Sequence, residues 1–307
     1  MNEIQTYSWN TSDIFPAPIK ECPINIVQYV GVDSSPFLRA YDFLEIAIVA
    51  NGEGFYKTET ASYPIRQGDV FLIPKNHAHA YSSSQEIKVN SILLRNNLVF
   101  QAFPEILTEP ALCCFRDLEP RFRKNDNFQN HLHLSEEELK TLLTFWEFMN
   151  QENTLQSEHS SNVLWALLHC FLVHLCRYFG KHAGNRGQKL MKLADVMKYI
   201  EQHYSAPISC KELVKLAGQN RLAFNDLFQQ ATGHAPREYI LLFRLTKAKE
   251  RLRNTTMSIK EIAADCGFCD AGYFCQQFKK RCALSPRQYR EESGTETEEN
   301  ILGELWG

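Results

Sequence analysis

No uninterrupted run of eighteen apolar residues occurs in the 307-residue chain, which argues against a membrane span of ordinary length. The N-terminus also lacks the basic-then-apolar pattern of a secretory leader, so a cytoplasmic protein with its ten cysteines reduced is expected. An overall charge bias is missing too, since the formal net charge is only −3. That near-balance conceals a local bias. From Lys189 to Arg290 there are eighteen Lys or Arg against nine Asp or Glu, a net of +9, which leaves −12 for the remainder. A compact basic third is the electrostatic footprint of a nucleic-acid binder, because phosphate contacts with counterion release supply much of such affinity. A merely solvated basic face is the alternative.

The basic third repeats itself. Ser209-Cys210-Lys211-Glu212-Leu213 recurs forty-nine residues later as Ser258-Ile259-Lys260-Glu261-Ile262, and Gly218 recurs as Gly267. After one inserted residue, Asn220, Phe224, Phe228, Pro236 and Tyr239 recur as Asp270, Phe274, Phe278, Pro286 and Tyr289. Two units too short to bury a core alone imply paired modules sharing one fold. In each copy, serine followed three residues later by glutamate predicts a capping box and a helix starting near Cys210 or Ile259. Gly218 and Gly267 end these helices, and Asn220 and Asp270 cap the next ones, so each copy reads as helix, tight turn, helix.

In the second helix of each copy the paired phenylalanines face inward together. This turns Leu222, Asn225, Asp226 and Gln229 outward in the first copy, and Ala271, Gly272, Cys275, Gln276 and Lys279 in the second. With Arg221, Lys280 and Arg287 these form the candidate DNA-binding set. Lys247, Lys249, Arg251 and Arg290 are further candidates for phosphate contacts, with pairing to Glu250 the alternative for Lys247 and Arg251. A helix opened by Pro236 connects the copies rigidly. Cys266, Cys269, Cys275 and Cys282 begin like a metal-binding C-x-x-C series, but Cys266 takes a core position and Cys275 an outward one, so they should point apart.

The ordered motif Ile259-Lys260-Glu261-Ile262-Ala263, Cys266-Gly267-Phe268, Tyr273-Phe274, Phe278-Lys279-Lys280 and Ser285-Pro286-Arg287-Gln288-Tyr289-Arg290 resembles the DNA-binding domain of AraC/XylS transcription regulators. The resemblance spans about residues 190–290. It implies a seven-helix domain whose two recognition helices enter successive major grooves of double-stranded DNA. The first copy departs from the family pattern at Asp226, where a basic residue is frequent.

The first 130 residues read differently. Segments 24–30, 43–49, 54–57, 69–73 and 88–94 are short, rich in β-branched and aromatic residues, and separated by turn signals such as Asn51-Gly52 and Gln67-Gly68, which predicts an all-β barrel or sandwich. Tyr41-Asp42-Phe43-Leu44-Glu45-Ile46, then Gly52, then Gly68 to Pro74 with His77 and His79, resembles the cupin effector domain of AraC-type sugar regulators. Many cupins hold a metal through three histidines and a glutamate. Here Arg39 and Tyr41 stand at the first two histidine places, leaving Glu45 and His79, so neither metal nor cofactor is expected. Arg39, Tyr41, Glu45 and His79 would instead suit a small hydroxylated ligand, or Arg39 and Glu45 form a structural ion pair.

Between these regions, Ser135 with Glu138 makes another capping box, and helices are expected over about 135–150 and 158–179. The second is apolar on more than one face, which suggests a subunit contact. His169 and His174 on it read as core or rim residues. The expected architecture is α+β and multidomain: a cupin-like effector-binding barrel (1–134), a helical dimerisation segment (135–180), a polar linker (181–188), an all-α double helix-turn-helix (189–290) and an acidic tail (291–307), with disorder expected before Ile301. The function these readings imply is that of a non-enzymatic transcription regulator, an activator of carbohydrate-related genes. Its implied partners are DNA, RNA polymerase, a small effector such as a sugar, and a second copy of itself. Control by a partner protein, or a metal-dependent cupin enzyme tethered to DNA, are the alternatives.

Overall fold

The computed structural model describes residues 6–9, 22–32, 38–95, 109–118 and 131–292, with 103, 106 and 122, so from 293 on the tail expectation lies outside the described residues, while 291 and 292 end a helix. The chain forms two compact units, residues 1–191 and 192–307.

In the first unit, one five-stranded sheet has the order β1 (Thr6–Trp9), β3 (Leu38–Tyr41), β8 (His79–Ser82), β5 (Glu53–Thr58) and β6 (Ser62–Arg66). The other runs β10 (Leu132–His133), β7 (Asp69–Ile73), β4 (Leu44–Asn51), β9 (Ile87–Leu94) and β2 (Ile24–Gly31). Ala47, Val49, Phe71, Ile73, Ile87 and Val89 of the second sheet share one core with Tyr56, Tyr63, Ile65 and Tyr81 of the first. Period-two alternation makes this possible, sending every second side chain inward. The domain is the sheet-rich, cupin-like fold expected. Strands β3, β6 and β8 went unread because Arg39, Ala40, Pro64 and His79 break the apolar signal. They form because neighbouring strands already present edges to pair with, as Tyr56↔Tyr63 and Tyr56↔Tyr81 show.

After α1 (Pro110–Cys113) and a π-helical turn (Cys114–Leu118) come α2 (Glu136–Leu155) and α3 (Ser160–His182). Trp146 of α2 is buried and its indole N–H donates to the Ser91 carbonyl at 3.2 Å, anchoring α2 on the second sheet. Both helices run a few residues beyond the sequence estimate: α2 ends only where Gln156 turns left-handed (φ 48°). Despite its interspersed polar residues, α3 is long and apolar enough, by length and composition, to cross a membrane. A third of its most apolar window is buried in the unit.

The linker expected at 181–188 is largely helical. Lys181 and His182 close α3, only residues 183 and 184 lie outside helices, and Asn185 opens α4 (Asn185–His203). Gln188 N–H donates to the Gly184 carbonyl at 2.8 Å, closing the first turn of α4. The cause at α3 is Glu138. This buried carboxylate completes the α2 capping box with the Ser135 N–H (3.0 Å) and also takes Lys181 Nζ (2.8 Å) and His182 Nε2 (2.6 Å).

The second unit contains α5 (Cys210–Ala217), α6 (Arg221–Thr232), α7 (Pro236–Asn254), α8 (Ile259–Asp265), α9 (Ala271–Cys282) and α10 (Pro286–Glu292). With α4 these make the seven helices the family resemblance implied.

Burial alone would raise the Glu138 carboxyl, but Lys181, the Ser135 amide and His182 outweigh it and carry it down to about 2. A depressed carboxylate contributes stability that is present above its ordinary value of about 4.3 and lost as pH falls toward 2. Urea unfolding followed by tryptophan emission should therefore weaken across that window, and Glu138→Gln should flatten the dependence. Ser135→Ala should remove about 1 kcal/mol at neutral pH through the lost cap.

Candidate nucleic-acid interface and effector site

The sequence repeat is also a repeat in space. Ser209 and Ser258 cap α5 and α8 through reciprocal boxes with Glu212 and Glu261. Gly218 (φ 61°) and Gly267 (φ 81°) make the turns. Asn220 and Asp270 then cap α6 and α9 by accepting the Ala223 and Tyr273 amides at 2.9 and 2.6 Å. Phe224 meets Phe228 edge-on at 5.5 Å, and Phe274 meets Phe278 at 5.6 Å. Phe228 contacts Tyr239, and Phe278 contacts Tyr289, each at 5.4 Å. One module has thus been built twice around α7.

On α6, Arg221, Leu222, Asp226 and Gln229 are exposed and Asn225 is half-buried; Leu222, at 78 % exposure, is the most open large apolar side chain among the described residues. On α9, Gly272, Gln276, Lys279 and Lys280 are exposed. Ala271 and Cys275 were expected to face outward, but both are half-buried, because they flank the inward phenylalanines and pack on the core that α7 and α8 share with them. Tyr273 takes the open position instead, at 49 % exposure. Its place in the family motif beside Phe274 was the available signal. Cys266 is fully buried and its thiol is pushed up to about 11 by burial, while Cys269 is exposed.

The cations divide into two groups. Lys247 pairs with Glu250 at 2.9 Å, Arg251 with Asp265 at 2.8 Å, and Arg290 donates to the Met257 carbonyl, so these three brace the fold. Arg251 therefore has a partner other than the Glu250 considered for it. Lys279 and Lys280 are exposed and make no ion pair among the described residues, and Arg287, 85 % exposed, has only a surface contact with Glu291. Together they form an open basic rim at the C-terminal end of α9 and on α10.

In the first unit, Glu45 is 5 % exposed and His79 4 %. Ser91 Oγ donates to Glu45 Oε1 at 2.6 Å and Tyr81 OH at 3.3 Å, while His79 Nε2 lies 3.5 Å from Oε2. Burial raises the Glu45 carboxyl, yet the His79, Ser91 and Tyr81 contacts prevail and hold it below the ordinary value. The cost appears on Tyr81, whose hydroxyl is pushed well above 10 by burial and by Glu45. Tyr41 packs on Phe43 and edge-on to His79, and its hydroxyl is raised by burial and Glu45 while contacting Arg39. Arg39 is the register partner of His79 but is exposed. The four sequence candidates thus lie along one path into the fold. Tyr81 and Ser91 were missed, although a serine inside the apolar run of β9 was a visible clue.

A second cluster was also missed. His131 Nε2 and His133 Nδ1 meet the same buried Asp69 oxygen at 3.0 and 2.7 Å, tying β10 to β7. His169 and His174 are half-buried; His174 packs against Phe145 and Tyr178.

A fold of this kind, with paired helix-turn-helix modules following a cupin-like domain, defines a DNA-binding transcription regulator. Family models agree: one described as an AraC-like ligand binding domain matches residues 34–169, and one described as a helix-turn-helix domain matches 213–292. The chain belongs to the AraC/XylS family. It is 26% identical over 262 residues to the HTH-type transcriptional activator RhaR of Mannheimia succiniciproducens, covering 83% of this chain and 87% of the relative. Its identity to the HTH-type transcriptional activator RhaS of an Enterobacter species is 26% over 253 residues, with 82% and 86% coverage. A solved regulator with an AraC-type DNA-binding domain from Chromobacterium violaceum shares 27% identity over 34% of this chain and 95% of its own, at a TM-score of 0.33.

The turns yield a paired test. A Cβ at Gly267 would lie 2.5 Å from the Tyr204 carbonyl oxygen and 2.9 Å from that of Ser205, in a left-handed backbone. Gly267→Ala should destabilise the second unit by more than the roughly 1–2 kcal/mol of left-handed strain alone. Ala283 occupies that same left-handed region (φ 63°) where the first module has Gly233. Ala283→Gly should therefore stabilise by about 1 kcal/mol in thermal melts.

Proposed function

We propose that the chain is a ligand-responsive activator that binds double-stranded DNA as a homodimer, each copy reading two successive major grooves with α6 and α9. The observation that carries this is the module repeated in caps, turns and ring packing on one rigid helix. At 1.5 Å per residue α7 is about 28 Å long, which suits reading helices set one duplex turn, roughly 34 Å, apart. Gln276, which is exposed on α9, would pair with adenine through two hydrogen bonds, and Asp226, exposed on α6, would accept from the cytosine amine. Lys279, Lys280 and Arg287 meet phosphates, which position the protein without reading sequence.

The first unit binds the effector. Among the described residues Glu45 Oε2 has only the loose 3.5 Å contact with His79, so a ligand hydroxyl would find acceptor capacity there. Arg39 and Tyr41 flank the approach, a set that suits a hydroxylated molecule such as a sugar. The exposed face of α3, including Val163, Ala166 and Cys170, joins a second copy. As an activator in the cytoplasm the protein would act on RNA polymerase. It is assigned no catalytic role, consistent with relatives named as transcriptional activators.

Gln276→Ala should cost about 1–3 kcal/mol on the specific site and leave the salt dependence of binding unchanged. Lys280→Ala and Arg287→Ala should each lower the slope of log affinity against log salt by about 0.9 on every sequence. Wild-type slopes in both would remove the basic rim from the interface.

Calorimetry with candidate sugars tests the effector site. Arg39→Ala and His79→Ala should each abolish binding, and undiminished heats in both variants would move the site elsewhere.

A further inference from the structure

A cleft of about 360 Å³ lies between the N-terminal half of α7 and the turn leading into α9. Ile240, Leu241, Phe268 and Tyr273 make its walls apolar, and Arg237, Arg244 and Cys269 stand around it. Two Arg244 nitrogens are committed to the Tyr204 and Ala206 carbonyls, and Asp270 on the rim is committed to capping α9. Arg237 is exposed and makes no ion pair among the described residues. The cleft therefore presents an apolar floor and one uncompensated cation, beside the first turn of the second reading helix.

The chain carries a segment of matching chemistry. Residues 293–307 contain four glutamates and no Lys or Arg, and include Ile301-Leu302-Gly303-Glu304-Leu305-Trp306-Gly307. Their starting point is suitably placed. Arg290 donates to the Met257 carbonyl and Arg253 lies 5.3 Å from the Tyr289 ring, so α10 sits at the C-terminal end of α7. From Arg253 back to Leu241 or Arg237 the helix climbs about 18–24 Å. Nine extended residues beyond Glu292 span about 30 Å, enough to bring Ile301 to the cleft.

We propose that segment 293–307 docks Ile301, Leu302, Leu305 and Trp306 in the α7–α9 cleft, with its glutamates against Arg237, and so holds α9 off DNA. The idea rests on the DNA-reading role assigned to α9. A docked segment obstructs Tyr273 and the first turn of α9, and its carboxylates repel phosphate. Tethering supplies an effective concentration of about 1 mM, so even a docking constant of about 0.1 mM would handicap DNA binding roughly tenfold.

The test compares the full chain with one ending at Glu292. Cys269, exposed within the cleft, serves as the probe: without DNA, its modification by N-ethylmaleimide, located by peptide mass spectrometry, should be several-fold slower in the full chain. Arg237→Glu, at an exposed position, and Leu305→Asp should each restore the faster rate. The shortened chain should bind an operator fragment about tenfold tighter, and Arg237→Glu should remove that difference between the two lengths. Equal Cys269 rates in full and shortened chains would overturn the proposal. So would an affinity gain on shortening that survives undiminished in Arg237→Glu, since diffuse charge would then be acting without the cleft. If neither chain bound DNA while Cys269 stayed protected, the DNA-reading role would fall and the docking would stand.

Discussion

Burial of α7 between two short helical modules is the interaction on which the second unit depends. Neither module can close a core with its own helices. Tyr239 on α7 meets Phe228 of the first, while Leu245, Ala248 and Leu252 enter the core of the second with Phe274 and Phe278. At about 1.5–3 kcal/mol for each large buried side chain, these few residues contribute a substantial share of a domain's net stability. A single helix serving both cores also fixes how α6 and α9 are oriented. Arg244 strengthens the arrangement by fastening the turn after α4 to α7 through the Tyr204 and Ala206 carbonyls.

The first unit is organised around a less favourable element, a buried carboxylate. Taking Glu45 out of water is costly unless hydrogen bonds replace the lost solvent. Ser91, Tyr81 and His79 provide them, from β9 and β8, so the charge is tolerated only when the two sheets are closed on one another. Ser91 has a double part: its hydroxyl serves Glu45 and its carbonyl receives the Trp146 indole. The hydrogen bonding of Glu45 is thereby joined, through Ser91, to the anchor of α2.

Glu138 plays a comparable part at the far end of the α2–α3 hairpin. It at once completes the capping box of α2 and accepts from the last two side chains of α3, so the start of one helix and the end of the next are held by one carboxylate. The charged residues at 181 and 182 look like a linker in sequence. They are helical because their partner is forty-odd positions upstream.

That contrast marks where sequence reading succeeds. Caps, turns and facing aromatic pairs connect residues no more than four apart, and their geometry follows from helix periodicity. Hence Ser209 with Glu212, Gly267, and Phe274 with Phe278 were legible in the bare chain, as were the strands built from long apolar runs. The family resemblance drew on the same local signals. Strands β3, β6 and β8, the Tyr81 and Ser91 donors to Glu45, the Asp69–His131–His133 cluster and the Arg251–Asp265 pair were not legible. Apart from β6, a hairpin partner of β5, each depends on segments 14 to 64 residues apart being brought together. No local periodicity encodes such a meeting, so closure of the sheets and packing around α7 decided which polar side chains were consumed as structure and which stayed open at the surface.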